Sequence, residues 1–225
     1  MTSAAVVTTT FVPRKRIPVI GIVGGIGSGK SAVANWVAAR AKVFVLNADE
    51  LGHEALQSNK VKQALCARFG NSILDAGGDI ERSALARRVF GMDADQLAAR
   101  HALELIVHPE IGRRIAEGIE AAAVEEQDAV LLDAAILLEA GWRSKCDLVV
   151  FIDTPDAIRL ARIQENRRWT AEELKRREQS QWSLMAKRRE SDLIIQNDGE
   201  IERAGQQLFE ALQQRGLITR GTTLA

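Results

Sequence analysis

Eight consecutive residues carry the clearest chemistry in the chain: Gly24-Gly25-Ile26-Gly27-Ser28-Gly29-Lys30-Ser31. They satisfy the phosphate-loop pattern G-x-x-x-x-G-K-[ST], and they stand between a buried-strand pattern at 17–23 and a helical pattern at 32–40. Four glycines let the backbone curl with its N–H groups inward, at the positive end of the next helix, so that phosphate oxygens fill the nest. Lys30 is placed to reach the β- and γ-phosphates of a nucleoside triphosphate, and the Ser31 hydroxyl to coordinate a magnesium ion that bridges them. The candidate nucleotide ligands are Gly25, Ile26, Gly27, Ser28, Gly29, Lys30, Ser31 and Ala32, and Ser31 is the candidate metal ligand.

Phosphate loops serve switches, hydrolases and transferases alike, so the surrounding residues decide. The sole Asn-Lys pair, Asn59-Lys60, continues as Val61-Lys62 and lacks the acidic residue of a guanine-reading element. The apolar run ending at Asp133 continues as Ala134-Ala135, without the Glu that activates water in many ATPases. Asp49 lies just past the second apolar run, at the edge where open α/β sheets bind ligands, and a carboxylate there can accept a proton from a hydroxyl acceptor. Capping a helix that begins near Glu50 is an equally good reading of Asp49, compatible with the first. Asp133 has two readings as well, holding a magnesium-bound water or capping a helix over 134–140. Arg159, Arg162, Arg167 and Arg168 follow the fourth apolar run, where small kinases carry a lid whose arginines neutralise the transferred group. By itself such a cluster is a solvated face.

These residues need a scaffold, and five apolar runs rich in β-branched residues supply it, at 17–23, 43–46, 129–132, 148–152 and 193–195. Their continuous hydrophobicity suits strands covered on both faces, which predicts a doubly wound α/β fold, a P-loop three-layer core with a five-stranded parallel sheet. Between the second and third runs, helical patterns at 60–69, 82–90, 95–107 and 109–126 form an insertion, with Pro109 suited to the first position of its helix. A further helical stretch, 171–189, carries the basic runs Lys175-Arg176-Arg177 and Lys187-Arg188-Arg189, read as a solvated face. The expected domains are a nucleotide core at 17–54 and 127–215 with a lid near 159–190, and a helical acceptor domain at 55–126. Residues 1–16 read as a disordered leader and 216–225 as a tail.

Composition limits the partners. Thirty basic and thirty acidic residues cancel, leaving no overall field for a nucleic acid or an anionic membrane. Any anion site is therefore local, and a small anionic ligand is expected. Cys66 and Cys146 match no metal-ligand spacing and suit a reducing compartment. His53, His101 and His108 share no such spacing either, and the four tryptophans are too scattered for a base-stacking platform. No stretch reaches the roughly 18 apolar residues of a membrane span, so a cytoplasmic protein is expected, a monomer or weak homo-oligomer.

Five motifs in order, Gly24 through Ser31, Asn47-Ala48-Asp49, His108-Pro109, the Leu132-Asp133 to Leu138-Glu139 stretch, and Ser191-Asp192 to Asp198-Gly199, make the chain resemble the dephospho-CoA kinases over about 17–212. The resemblance implies ATP-dependent phosphorylation of the ribose 3'-hydroxyl of dephospho-CoA, the last step of coenzyme A synthesis, with magnesium. It also implies that Asp49 is the base, that Lys30 and Ser31 hold the phosphates and metal, that Arg162 is a lid arginine in the catalytic set, and that the helical insertion binds the acceptor. The chain departs from the family at Ala32 (usually Thr), Asn47 (usually Asp, which leaves Asp49 alone), Ala135 (usually Pro) and Asn166 (usually Arg, with Arg167 beside it). The changes at Ala32 and Ala135 bear on rigidity more than on chemistry, and an active but slower enzyme is expected. From the residues alone, a nucleoside monophosphate kinase and a non-catalytic nucleotide switch are the alternatives.

Overall fold

The computed structural model describes residues 16–219 except 90 and 92; most of the expected leader and the end of the expected tail lie outside them. Five strands, β1 (Val19–Gly24), β2 (Val43–Asn47), β3 (Ala129–Asp133), β4 (Leu148–Asp153) and β5 (Leu193–Gln196), form one parallel sheet in the order β2-β3-β1-β4-β5. All five apolar runs become strands. Alternate residues go to opposite faces, as strand geometry requires. Val19, Val23, Val130, Leu132, Val149 and Phe151 join one hydrophobic layer, whereas Ile20, Ile22, Ala129, Leu131, Val150 and Ile152 join the other. Both layers are covered, which is why the runs read as continuous rather than alternating.

Helices α1 (Lys30–Ala38) and α9 (Ile201–Gln214) cover one face and pack on each other. The other face carries α2 (Ala48–Ala55), α3 (Asn59–Phe69), α4 (Arg82–Val89) and the long α5 (Ala94–Val124). Beyond β4 come α6 (Asp156–Arg167), α7 (Ala171–Glu178) and α8 (Leu184–Arg189). The expected single helical stretch over 171–189 is therefore two helices, separated by the turn at 179–183.

Pro109 corrects a second expectation. It does not start a helix but lies inside α5, which runs unbroken for 31 residues. Proline removes the hydrogen bond to the carbonyl four residues back, and Leu105 is 63% exposed, so that turn lies on the solvent side. Both ends of α5 are well terminated. The Asp93 side chain accepts from the Gln96 N–H at 2.7 Å, and at the far end Glu126 takes a left-handed φ of 54° while the Gln127 N–H returns to the Ala122 carbonyl.

Candidate active site

The phosphate loop links β1 to α1 at the carboxyl edge of the sheet. Gly27 and Gly29 have φ of 78° and 83°, in the left-handed region that side chains disfavour, so the turn needs glycine at both positions. Gly29 is also the N-cap of α1 and provides no side-chain acceptor, which leaves the first N–H groups of the helix available to an anion. The outer side of the loop is anchored. The Ser28 carbonyl accepts from Thr154 Oγ1 at 2.9 Å, from Asn197 Nδ2 at 2.7 Å and from an Arg162 guanidinium nitrogen at 3.5 Å. Arg159 donates to the Ile26 carbonyl at 3.0 Å. Carbonyls drawn outward leave the amides to face inward, and Lys30, Ser31 and Ala32 form the first turn of α1 at that opening.

Asp133 ends β3 beside Asn47 of β2 and Ile22 of β1, and it is only 5% exposed. The Ser31 hydroxyl donates to its carboxylate. No helix follows, since 134–141 form turns, so the capping role considered for Asp133 is excluded. Burial pushes its carboxyl pKa up, Lys30 and the Ser31 hydroxyl oppose that, and the charges of Asp49 and Glu50 add to it. The Ser31 hydroxyl and the charges of Lys30, Asp49 and Glu50 thus all act on one buried carboxylate. A hydroxyl and a carboxylate side by side suit a hard cation such as magnesium, which takes one or two protein oxygens and completes its shell with phosphate and water. Among the described residues no group of three or more His, Cys, Asp and Glu could hold a metal alone.

Asp49 is exposed in the first turn of α2 and is not its cap. That task falls to Asn47, whose side-chain oxygen accepts from the N–H groups of Asp49 at 3.0 Å and Glu50 at 3.4 Å, while its amide donates to Glu50 at 3.1 Å. This reciprocal cap fixes the entry to α2 and leaves the Asp49 carboxylate unused by the helix. Asn and Asp cap helices about equally well, so Asn47 meets the capping need of α2 where the family usually has Asp.

The arginines after β4 divide. Arg159 is 3% exposed, bonded to Asp156 and Glu178 as well as to the loop, so it is no solvated face. The Arg162 guanidinium bonds go to carbonyls, those of Ser28 and Gly199, and leave its charge beside the loop. Arg167 stacks on Trp169, as does Arg177, and Asn166 bonds back to the Arg162 carbonyl. Lys187, expected to be solvated, is fully buried.

A cleft of about 450 Å³ opens between α5 and the turns after β3. His101, Glu104, Leu105, His108 and Pro109 line one side, Glu139 and Ala140 the other. His108 sits edge-on to Trp142, 5.6 Å between ring centroids, and its pKa is lowered by burial.

A parallel sheet of this order, with a phosphate loop after β1, carboxylates at the ends of β2 and β3, and a helical insertion, defines a P-loop kinase fold. The dephospho-CoA kinase family model matches residues 18–203. The dephospho-CoA kinase of Rhodopirellula baltica is 37% identical over 195 residues, covering 86% of this chain and 89% of its own length. That of Corynebacterium diphtheriae is 34% identical over 197 residues, covering 85% and 96%. The crystal structure of TT1252 from Thermus thermophilus superposes with a TM-score of 0.75 at 31% identity, over 89% of this chain and 98% of that one. The chain belongs to the dephospho-CoA kinase family.

Proposed function

We propose that the protein transfers the γ-phosphoryl group of ATP to the ribose 3'-hydroxyl of dephospho-CoA, giving coenzyme A and ADP. The observation that carries this reading is the set of groups around Asp133. Lys30 and the Ser31 hydroxyl stand on its phosphate-loop side and the exposed Asp49 carboxylate on its other side. The water-activating Glu of many ATPases is missing after Asp133, where Ala134 and Ala135 stand, which leaves Asp49 as a carboxylate for an acceptor hydroxyl.

Each residue has a task in the transfer. The amides from Gly25 to Ala32, apart from that of Ser28, which donates to the Gly25 carbonyl at 3.1 Å, hold the triphosphate in place together with the Lys30 ammonium. Asp49 orients the acceptor hydroxyl and takes its proton as the new O–P bond forms, and the bond from the γ-phosphorus to the bridging oxygen breaks to release ADP. Arg162 offers a guanidinium to the charge on the transferred group. Ser31 and a water held by Asp133 would bind magnesium, which when present neutralises charge on the β- and γ-phosphate oxygens. The helical segment 55–126 is the acceptor domain, and the cleft between α5 and Glu139 is where the acceptor would lie; its volume is in the range of ligand sites.

The test is ADP release with magnesium and ATP, with and without dephospho-CoA, alongside a panel of nucleoside monophosphates. The expected result is release dependent on dephospho-CoA, with the new phosphate on the 3'-oxygen. Release with a nucleoside monophosphate alone would replace the acceptor, and no release with any acceptor would end the kinase reading.

A further inference from the structure

Lysine is seldom fully buried unless its charge is matched, and Lys187 in α8 has no exposed surface. Its Nζ donates to the Ala135 carbonyl at 2.6 Å and to Gln181 Oε1 at 2.9 Å, and it lies 3.0 Å from Glu139 Oε1. Three acceptors complement the three N–H bonds of an ammonium, whereas a neutral amine would leave one acceptor idle. Burial lowers its pKa, Glu139 opposes that, and the charge of Lys30 adds to the lowering, so Lys187 and the phosphate-loop lysine lie within electrostatic reach.

The three acceptors come from two stretches of chain that no sheet pairing joins. Ala135 and Glu139 belong to the turns that follow Asp133, and Gln181 belongs to the connection between α7 and α8. Neighbouring contacts fasten the same junction. Glu139 Oε1 also accepts from the Trp182 N–H at 2.8 Å, and the Arg159 side chain joins Glu178 of α7 to the Ile26 carbonyl. Leu184 lies against the phosphate loop, 3.1 Å from where a Cβ on Gly25 would stand. Stability alone does not account for the ammonium, because replacing a buried ion pair with well-packed apolar groups is often neutral or stabilising.

We propose that Lys187 is a positioning residue for phosphoryl transfer, holding the turns behind Asp133 and the α7–α8 connection in register over the phosphate loop. The proposal rests on the kinase reading for its rate, but its structural half does not depend on the acceptor.

The experiment compares Lys187→Met with the parent by steady-state kinetics, by ATP binding without acceptor, and by hydrogen exchange. The expected result is a fall in kcat of about 10- to 100-fold, since misplacement by an ångström can cost that much, with the ATP dissociation constant within about threefold. Exchange should rise together in 134–140 and 179–186 while β1, β3 and β4 stay protected. A merely structural lysine would lower the melting temperature and leave kcat per folded site and those two segments unchanged, and that outcome overturns the proposal. If Lys187→Met does not fold, Gln181→Leu removes one acceptor on a partly exposed turn. It should cost about three- to tenfold in kcat with ATP affinity kept, and an unchanged kcat overturns the proposal. A parent without transfer to dephospho-CoA would sink the activity reading, while the exchange measurement would still decide whether Lys187 couples the two segments.

Discussion

The Ser31 hydroxyl donates to the buried carboxylate of Asp133, joining the first turn of α1 to the end of β3 across the centre of the site. Asp133 pays for that position in stability. A carboxyl whose pKa is raised on folding holds its proton more tightly in the folded chain, so stability falls as pH climbs from the ordinary carboxylate value through the raised one. Asp133→Asn should therefore melt at a higher temperature than the parent at neutral pH, with the difference growing across that window. Its transfer activity should fall about 10- to 100-fold, the usual effect of losing an outer-shell metal partner. Thermal melts from pH 3 to 8, with rates at neutral pH, check both halves.

Asp49→Asn keeps the size of the side chain and loses the proton acceptor. The expected loss in kcat is about 10²- to 10⁴-fold, the range for general-base catalysis, with ATP affinity nearly unchanged. Rapid-quench transfer rates beside nucleotide titrations would show it. Equal rates in variant and parent would remove Asp49 from the base role.

Asn47→Ala removes the cap of α2 while leaving every proposed chemical group in place. Loss of a good N-cap costs about 1 kcal/mol of stability. Because the same cap fixes the turn that carries Asp49, kcat should drop along with it, and Asn47→Asp should restore both. Denaturant unfolding and steady-state rates on the three proteins measure this.

Arg162→Met tests the lid arginine. With its guanidinium bonded to two carbonyls, its charge is open to phosphate, and its loss should lower kcat by about 10²-fold with a smaller effect on ATP binding. A variant with parental kcat and weakened ATP binding would reassign Arg162 to nucleotide binding alone.

The strands and the phosphate loop were legible in the sequence because a strand buried on both faces leaves an unbroken apolar run and a phosphate nest demands glycine at fixed places. Asp49 was placed by the same logic, at the carboxyl edge of the sheet. Its cap was not identified, although Asn47 three residues before Glu50 is a readable capping pattern. Pro109 misled because proline is commoner at a helix start than inside one, and solvent exposure of the turn before it overrides that preference. Thr154 and Asn197 lie more than a hundred residues from the carbonyl they hold, and Lys187 differs from its basic neighbours only in what packs around it. Long-range placements of this kind leave no local pattern to read.

Helix α5 belongs to two parts of the molecule at once. Its C-terminal half packs against β2 through Gly118 and Leu46, and its N-terminal half lines the cleft and ties to Ser180 through Arg100. It runs for about 46 Å as one unbroken helix from the proposed acceptor segment to the sheet. One helix thus both covers the sheet and walls the cleft proposed for the acceptor. The opposite bank is tied to the same frame, since Arg100 holds the Ser180 carbonyl and Glu139 the Trp182 N–H, so the connection between α7 and α8 is fastened to both walls of the cleft.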